Sequence, residues 1–139
     1  MKLLLPLTIT IPRKTKADKV FALNLNTFRT AHHFVMNNAK ISYRNIVQTI
    51  WHNSFPYTTI PLELPLHFTY TIFPSSGRRF DLANVLAAVQ KFTDDALVEL
   101  GVIPDDNYKV IGAIDYRFGH IDKENPRAEL EIFHWEEKP

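Results

Sequence analysis

The stretch from Leu66 to Leu100, LHFTYTIFPSSGRRFDLANVLAAVQKFTDDALVEL, changes its hydrophobic period once, and that change sets the fold class. Leu66, Phe68, Tyr70 and Ile72 alternate with His67, Thr69, Thr71 and Phe73, the period-two pattern of a strand with one buried face. Pro74-Ser75-Ser76-Gly77 stops the strand. Beyond it Leu82, Val85, Leu86, Val89, Phe92, Ala96, Leu97 and Leu100 recur at three- and four-residue spacing, which predicts a helix over 82–100 that Gly101 is placed to end.

The flanks extend this strand–helix pair in both directions. Leu3 to Ile11 is rich in β-formers and ends at Pro12, so it is expected to be an opening strand, followed by the basic stretch Arg13–Lys19. Phe21 to Arg29 has no clean period, and its Asn24 and Asn26 favour local side-chain-to-backbone bonds, so it is expected to be a loop. Residues 30–52 hold neither Gly nor Pro, and Phe34, Ile41, Ile46, Ile50 and Trp51 give a loose helical stripe. Pro56, Pro61 and Pro65 make 53–65 a connector. Tyr108–Phe118 and Arg127–Trp135 are expected to be two closing strands around Gly119 and Asn125-Pro126. The order strand, helix, strand, helix, strand, strand implies an α+β fold. It would have a small mixed sheet of about four strands and two main helices in one domain over residues 1–139.

Composition narrows the function classes. With 139 residues, 45% of them hydrophobic, the chain can build one real core. It has no cysteine, which excludes disulfides and thiolate metal sites and suits a reducing cytosol. The apolar run at Met1–Thr10 is broken by Pro6, is too short to span a bilayer, and lacks a small-residue cleavage site. The expectation is therefore a cytoplasmic protein with no membrane partner.

Formal net charge is only +1, but it is unevenly spread. Residues 1–91 carry eleven Lys or Arg against three acids, and residues 92–139 carry five against twelve. Such asymmetry hints at contact with nucleic acid, although two halves of a sequence can equally neutralise each other in the fold.

Residues 78–106 carry the chemistry. Arg78 and Arg79 precede Asp81, which stands just before the expected helix. Counting from Asp81 at helical spacing, Asn84, Ala88, Lys91 and Asp95 fall on the face opposite the apolar stripe. The loop beyond the helix adds Asp105 and Asp106. Hard cations such as Mg²⁺ take oxygen ligands of this kind, and a nearby lysine can steady charge on a phosphate. Each residue also has a plainer use: Asp81 as a helix cap, Pro104-Asp105-Asp106-Asn107 as a turn, and Lys91 as a solvated lysine.

Taken together, Arg78-Arg79-Phe80-Asp81-Leu82-Ala83-Asn84, Gln90-Lys91-Phe92, Asp95-Ala96-Leu97, Gly101-Val102 and Pro104-Asp105-Asp106-Asn107 resemble the signature region of the RusA-type Holliday junction resolvases. In that family Asp-x-Asp-Asn opens a helix, a lysine and Asp-Ala-Leu follow, and an Asp-Asp pair sits in the next loop. The resemblance covers 78–110 well and is only architectural elsewhere. It implies a structure-selective endodeoxyribonuclease that hydrolyses phosphodiesters in branched DNA with Mg²⁺ or Mn²⁺, acting as a homodimer in a bacterial or phage-infected cell.

Carried over by position, the resemblance makes Asp81, Lys91 and Asp106 catalytic, and Asp81, Asp105 and Asp106 metal ligands, with Asp106 the better of the pair. Asn84 is supporting. Lys91 stands about one helical turn, roughly 5 Å, further from Asp81 than in the family's best-known form. Ala83 departs from the motif, which has an aspartate there, and the loss of one carboxylate of three should impair metal binding and turnover. Either the aspartate was exchanged for alanine to silence the enzyme, which the intact surroundings favour, or the chain diverged and Asp105 or Asp95 compensates. A junction-binding protein that does not cut is the alternative function, and a plain interaction protein is a third.

Arg13, Lys14, Lys16, Lys19, Arg29, Arg78, Arg79 and Lys91 are the candidate phosphate contacts. His32-His33 has no third ligand at a useful spacing and is not expected to bind metal. Most aromatics are expected in the core or an interface, with Phe21 and Phe28 as possible base-stacking exceptions.

Overall fold

The computed structural model describes residues 1–135. In chain order its elements are β1 (Lys2–Leu5), β2 (Thr8–Ile11), β3 (Lys19–Ala22), α1 (Leu25–Thr30), α2 (His33–Ser54), β4 (Leu66–Phe73), α3 (Leu82–Glu99), β5 (Ile111–Phe118) and β6 (Arg127–His134). The architecture is mixed α+β. A four-stranded sheet in the order β1-β6-β4-β5 holds one parallel pair, β4 with β5, and two antiparallel pairs. A parallel pair needs a crossover, and α3 supplies it.

β4 sits inside the sheet because its alternating residues have somewhere to go. Leu66, Phe68, Tyr70 and Ile72 are buried, together with Leu3, Leu5, Leu130 and Ile132 from the neighbouring strands. α3 lies on this side. Its Leu86, Ala88, Val89, Phe92, Thr93, Asp94, Ala96 and Leu97 are all buried, a wider arc than one stripe, because α2 packs against the helix as well as the sheet. The expected polar face is correspondingly narrower: Lys91 and Asp95 are exposed, but Ala88 is fully buried.

The helix ends in a Schellman motif. Gly101 adopts φ 78°, its N–H bonds to the Val98 carbonyl at 3.0 Å, and the Val102 N–H reaches the Leu97 carbonyl at 3.0 Å. Glycine takes that left-handed conformation without a Cβ penalty.

Three expectations about the amino-terminal third are corrected. The opening strand is two strands, broken at Pro6, where the ring removes a ladder donor: β1 pairs with β6, and β2 leaves the sheet to pair with β3. Lys19–Ala22 is therefore a strand of a hairpin, not loop. Leu25–Thr30 is a short helix because the Asn24 side chain, instead of holding a loop, caps it by accepting from the Thr27 N–H at 2.7 Å. The basic stretch Arg13–Lys19 is the turn of the β2–β3 hairpin, running into the start of β3.

Phe92 pins this segment to α3. Its ring stacks on Phe28 at 4.7 Å and on Phe21 at 6.2 Å, and meets the Tyr43 ring edge-on at 5.6 Å. Phe21 is fully buried and Phe28 half-buried, so neither is available for stacking on bases. Replacing Phe92 by alanine should cost about 3–5 kcal/mol, the range for a buried aromatic. Urea unfolding checks this, and limited proteolysis should show new cleavage between residues 12 and 30. A loss under about 1 kcal/mol would contradict the anchoring role.

Candidate functional site

Asp81 occupies the N-cap position of α3 with extended backbone (φ −85°, ψ 127°), yet its side chain makes no capping hydrogen bond. The simplest structural use of this aspartate is thus not realised, and its carboxylate stays exposed. Arg78, Arg79, Phe80, Asp81 and Asn84 line one open depression with Asn26 of α1 and with Phe118 and Ile121 at and beyond the end of β5. Arg29 joins this group through a hydrogen bond to the Asn26 side chain. Ala83 is exposed on the same first helical turn.

Asp105 and Asp106 follow the other end of the helix. An α-helix rises 1.5 Å per residue, so α3 separates its own two ends by about 27 Å, and the loop after it turns back far enough for the Asp106 charge to act on Asp94. The two side chains behave differently from one another. Asp105 is used by its own loop, accepting from the Asp106 N–H at 2.7 Å and the Asn107 amide at 3.0 Å, and these bonds hold its carboxyl below the usual range. Asp106 is exposed and in no ion pair among the described residues.

Within one copy Asp81, Asp105 and Asp106 form no common cluster. Among the described residues no three His, Cys, Asp or Glu side chains converge on one point. Lys91 is exposed on α3 and stands about 15 Å along the axis from Asp81. Asp95, a turn beyond it, approaches Lys40 of α2 at 4.0 Å.

The remaining basic residues form a second group. Arg13, Lys14, Lys16 and Lys19 are exposed at the tip of the hairpin, where Arg13 donates to the Ala17 carbonyl at 2.8 Å. The opposite end of the hairpin, at Thr8 and Ala22, lies beside Pro74 and Phe80. The tip is thus roughly 10 Å further along the ribbon from the Arg78–Asp81 turn. No acid occurs between Lys19 and Leu62, so α1 and α2 present only neutral and basic side chains.

Asp94 was not legible as a site residue. It is almost wholly buried, and its two oxygens accept from the Tyr70 hydroxyl at 3.0 Å and the Gln90 amide at 3.2 Å. Gln90 in turn accepts from the Tyr116 hydroxyl. Burial without a cation pushes the Asp94 carboxyl up to about 7. The hydrogen bonds from Gln90 and Tyr70 oppose that rise, and the Asp106 and Asp95 charges add to it. Burial likewise raises Tyr70 and Tyr43, whose hydroxyl shares a 2.7 Å hydrogen bond with Thr93. The signal that could have found Asp94 is its place among Leu86, Val89, Thr93 and Leu97, an acid inside the apolar arc.

His32 and His33 stack on each other at 4.3 Å, and His32 caps α2 by accepting from the Phe34 N–H at 3.2 Å, a structural use of the pair. In comparison with known proteins, the chain matches no family model and no curated protein.

Asp94 gives a pH prediction. Its carboxyl pKa is raised in the fold to about 7, against about 3.9 when unfolded, so the folded state binds the proton more tightly. That stability is fully present below about pH 4 and is lost as pH rises through about 7. Asp94→Asn removes the titration, and a flipped Gln90 amide can still serve both neighbours. The variant should hold its melting temperature between pH 5 and 8. At pH 8 it should exceed the parent by a few kcal/mol, since each tenfold difference in proton affinity is worth about 1.4 kcal/mol. A parent whose melting temperature is flat across that window would contradict the assignment.

Proposed function

We propose that this chain is a RusA-type, junction-recognising DNA protein whose active centre is assembled from two copies. The observation that carries the reading is the ordered set Asp81, Asn84, Lys91 and Asp105-Asp106 strung along one long helix, with an uncapped carboxylate at its start and the exposed Asp106 beyond its end. The donor chemistry suits a hard divalent cation, since both groups are free carboxylates and no softer ligand stands beside them. Because Asp81, Asp105 and Asp106 form no cluster within one copy, Asp81 of one copy and Asp106 of another are the pair that would hold Mg²⁺ or Mn²⁺. A metal so held polarises a phosphoryl oxygen and activates water. A four-way junction asks for two matched cuts, which a two-fold symmetric dimer with two such centres provides.

The chain's other residues bind and orient. Arg78, Arg79 and Arg29, gathered around the start of α3, would take the phosphates nearest Asp81, and the hairpin tip with Arg13, Lys14, Lys16 and Lys19 would reach the adjoining arm. Lys91, about 15 Å along α3 from Asp81, would contact a phosphate further along the backbone. Phosphate contacts carry no sequence information, so preference for a junction comes from its shape.

One observation favours a second reading, a protein that binds junctions without cutting them. Ala83 has no ligand atom where the motif has a carboxylate. The two readings part on one experiment. Gel-shift assays should show the chain preferring a four-way junction to linear duplex, with affinity falling steeply, by about a thousandfold or more, between 50 and 200 mM salt. Ala83→Asp should raise Mg²⁺-dependent cleavage of that junction by orders of magnitude. Equal cleavage by both forms would overturn the nuclease reading, and no preference for the junction would overturn both.

A further inference from the structure

We propose that β5 is the surface on which a second copy of the chain adds, strand against strand, with the two-fold axis passing through Tyr116. The inference rests on the two-copy reading above and names the surface that joins the copies.

β5 is the long open edge of the sheet. Among the described residues it pairs only with β4, and it runs eight residues where the opposite edge strand, β1, has four. Natural proteins blunt such edges with proline, lysine, bulges or a covering element. β5 contains neither proline nor lysine, its one irregularity against β4 falls at Gly112, away from Tyr116, and on its helix side Ile114 is 40% and Phe118 52% exposed, so α3 covers this part of the sheet incompletely. On its other side are Asp115, which takes a 2.8 Å hydrogen bond from His67, and Arg117, 3.6 Å from Asp115.

The charges select the register. Two copies of one strand, paired antiparallel about an axis normal to the sheet, set residues of the same side opposite each other. An axis at Asp115 sets two carboxylates face to face, and one at Arg117 sets two guanidiniums face to face, both unfavourable. An axis at Ile114 leaves Asp115 opposite Ala113 and Arg117 opposite Ile111. Only the axis at Tyr116 places each Asp115 opposite an Arg117 and each exposed Ile114 opposite an exposed Phe118.

The helix supports this register independently. The Tyr116 hydroxyl bonds to Gln90, and α3 runs antiparallel to β5, with Asp81 beside Phe118. Gln90 is nine residues from Asp81 and nine from Glu99, the midpoint of the helix. An axis at Tyr116 therefore lays the two α3 helices antiparallel with their ends level. Asp81 of one copy comes level with the end of the other helix, where the Asp105-Asp106 loop begins. The register chosen by the strand charges thus brings Asp81 of each copy to the same end of the pair as the other copy's Asp105-Asp106 loop.

Charge exchange tests the surface without DNA. In sedimentation equilibrium at tens of micromolar the chain should be a dimer. Asp115→Arg and Arg117→Asp should each weaken it at least tenfold, and the double exchange should restore it. Asp115 also holds His67, so a cross-linking probe accompanies these variants. The chain has no cysteine, and Tyr116→Cys should form a disulfide-linked dimer on oxidation, while Val20→Cys, in the exposed hairpin, should not. A dimer indifferent to both charges, or one that Tyr116→Cys fails to cross-link, overturns this surface and leaves the two-copy site standing. A monomeric chain overturns both.

Discussion

The hydrogen bonds from Tyr70 and Gln90 to Asp94 are the polar lock inside an otherwise apolar seam, and the position of α3 depends on that seam. A buried carboxylate with no cation beside it is costly, and it is tolerated here because both oxygens are satisfied. The lock fixes the rotation of α3 about its axis as well as its height on the sheet. Rotation decides that Lys91 and Asp95 face solvent while Ala88 and Phe92 face the core. Height decides that Asp81 stands beyond the end of β4 and that the Asp105-Asp106 loop follows from the far end of the helix.

The same network links the core to the sheet edge. Gln90 joins Asp94 to Tyr116, so a proton on Asp94 and the side chain at the centre of β5 belong to one hydrogen-bonded chain.

Much of this fold could be read from the residues alone because the informative segments are long and strongly periodic. β4, α3 and β6 appear within a residue or two of their expected bounds, since each buries a regular set of side chains against the same core. The amino-terminal third was obscure for a physical reason. β3 has only four residues, and Lys19 and Val20 are both exposed, so no period could show. Pro6 and Asn24 were visible as breakers, but whether an asparagine closes a loop or caps a helix depends on what Phe28 packs against, and that is Phe92, distant in the chain. Of the candidate site, Asp81, Asp105, Asp106, Arg78 and Arg79 lie on the segments expected for them, whereas Arg29 lies on α1 instead of in a loop. What spacing could not show is that Asp81, Asp105 and Asp106 form no cluster within one copy, because a motif read along the chain carries no distances in the fold.

Subunit complementation tests the two-copy centre most directly. In an Ala83→Asp background, Asp81→Asn and Asp106→Asn should each abolish Mg²⁺-dependent nicking of a four-way junction. Mixed together, the two variants should recover nicking, because in each mixed dimer one centre joins an intact Asp81 from one chain to an intact Asp106 from the other. A mixture as inactive as its separate components, under conditions where the Ala83→Asp chain alone cuts, would show that the centre is not divided between copies.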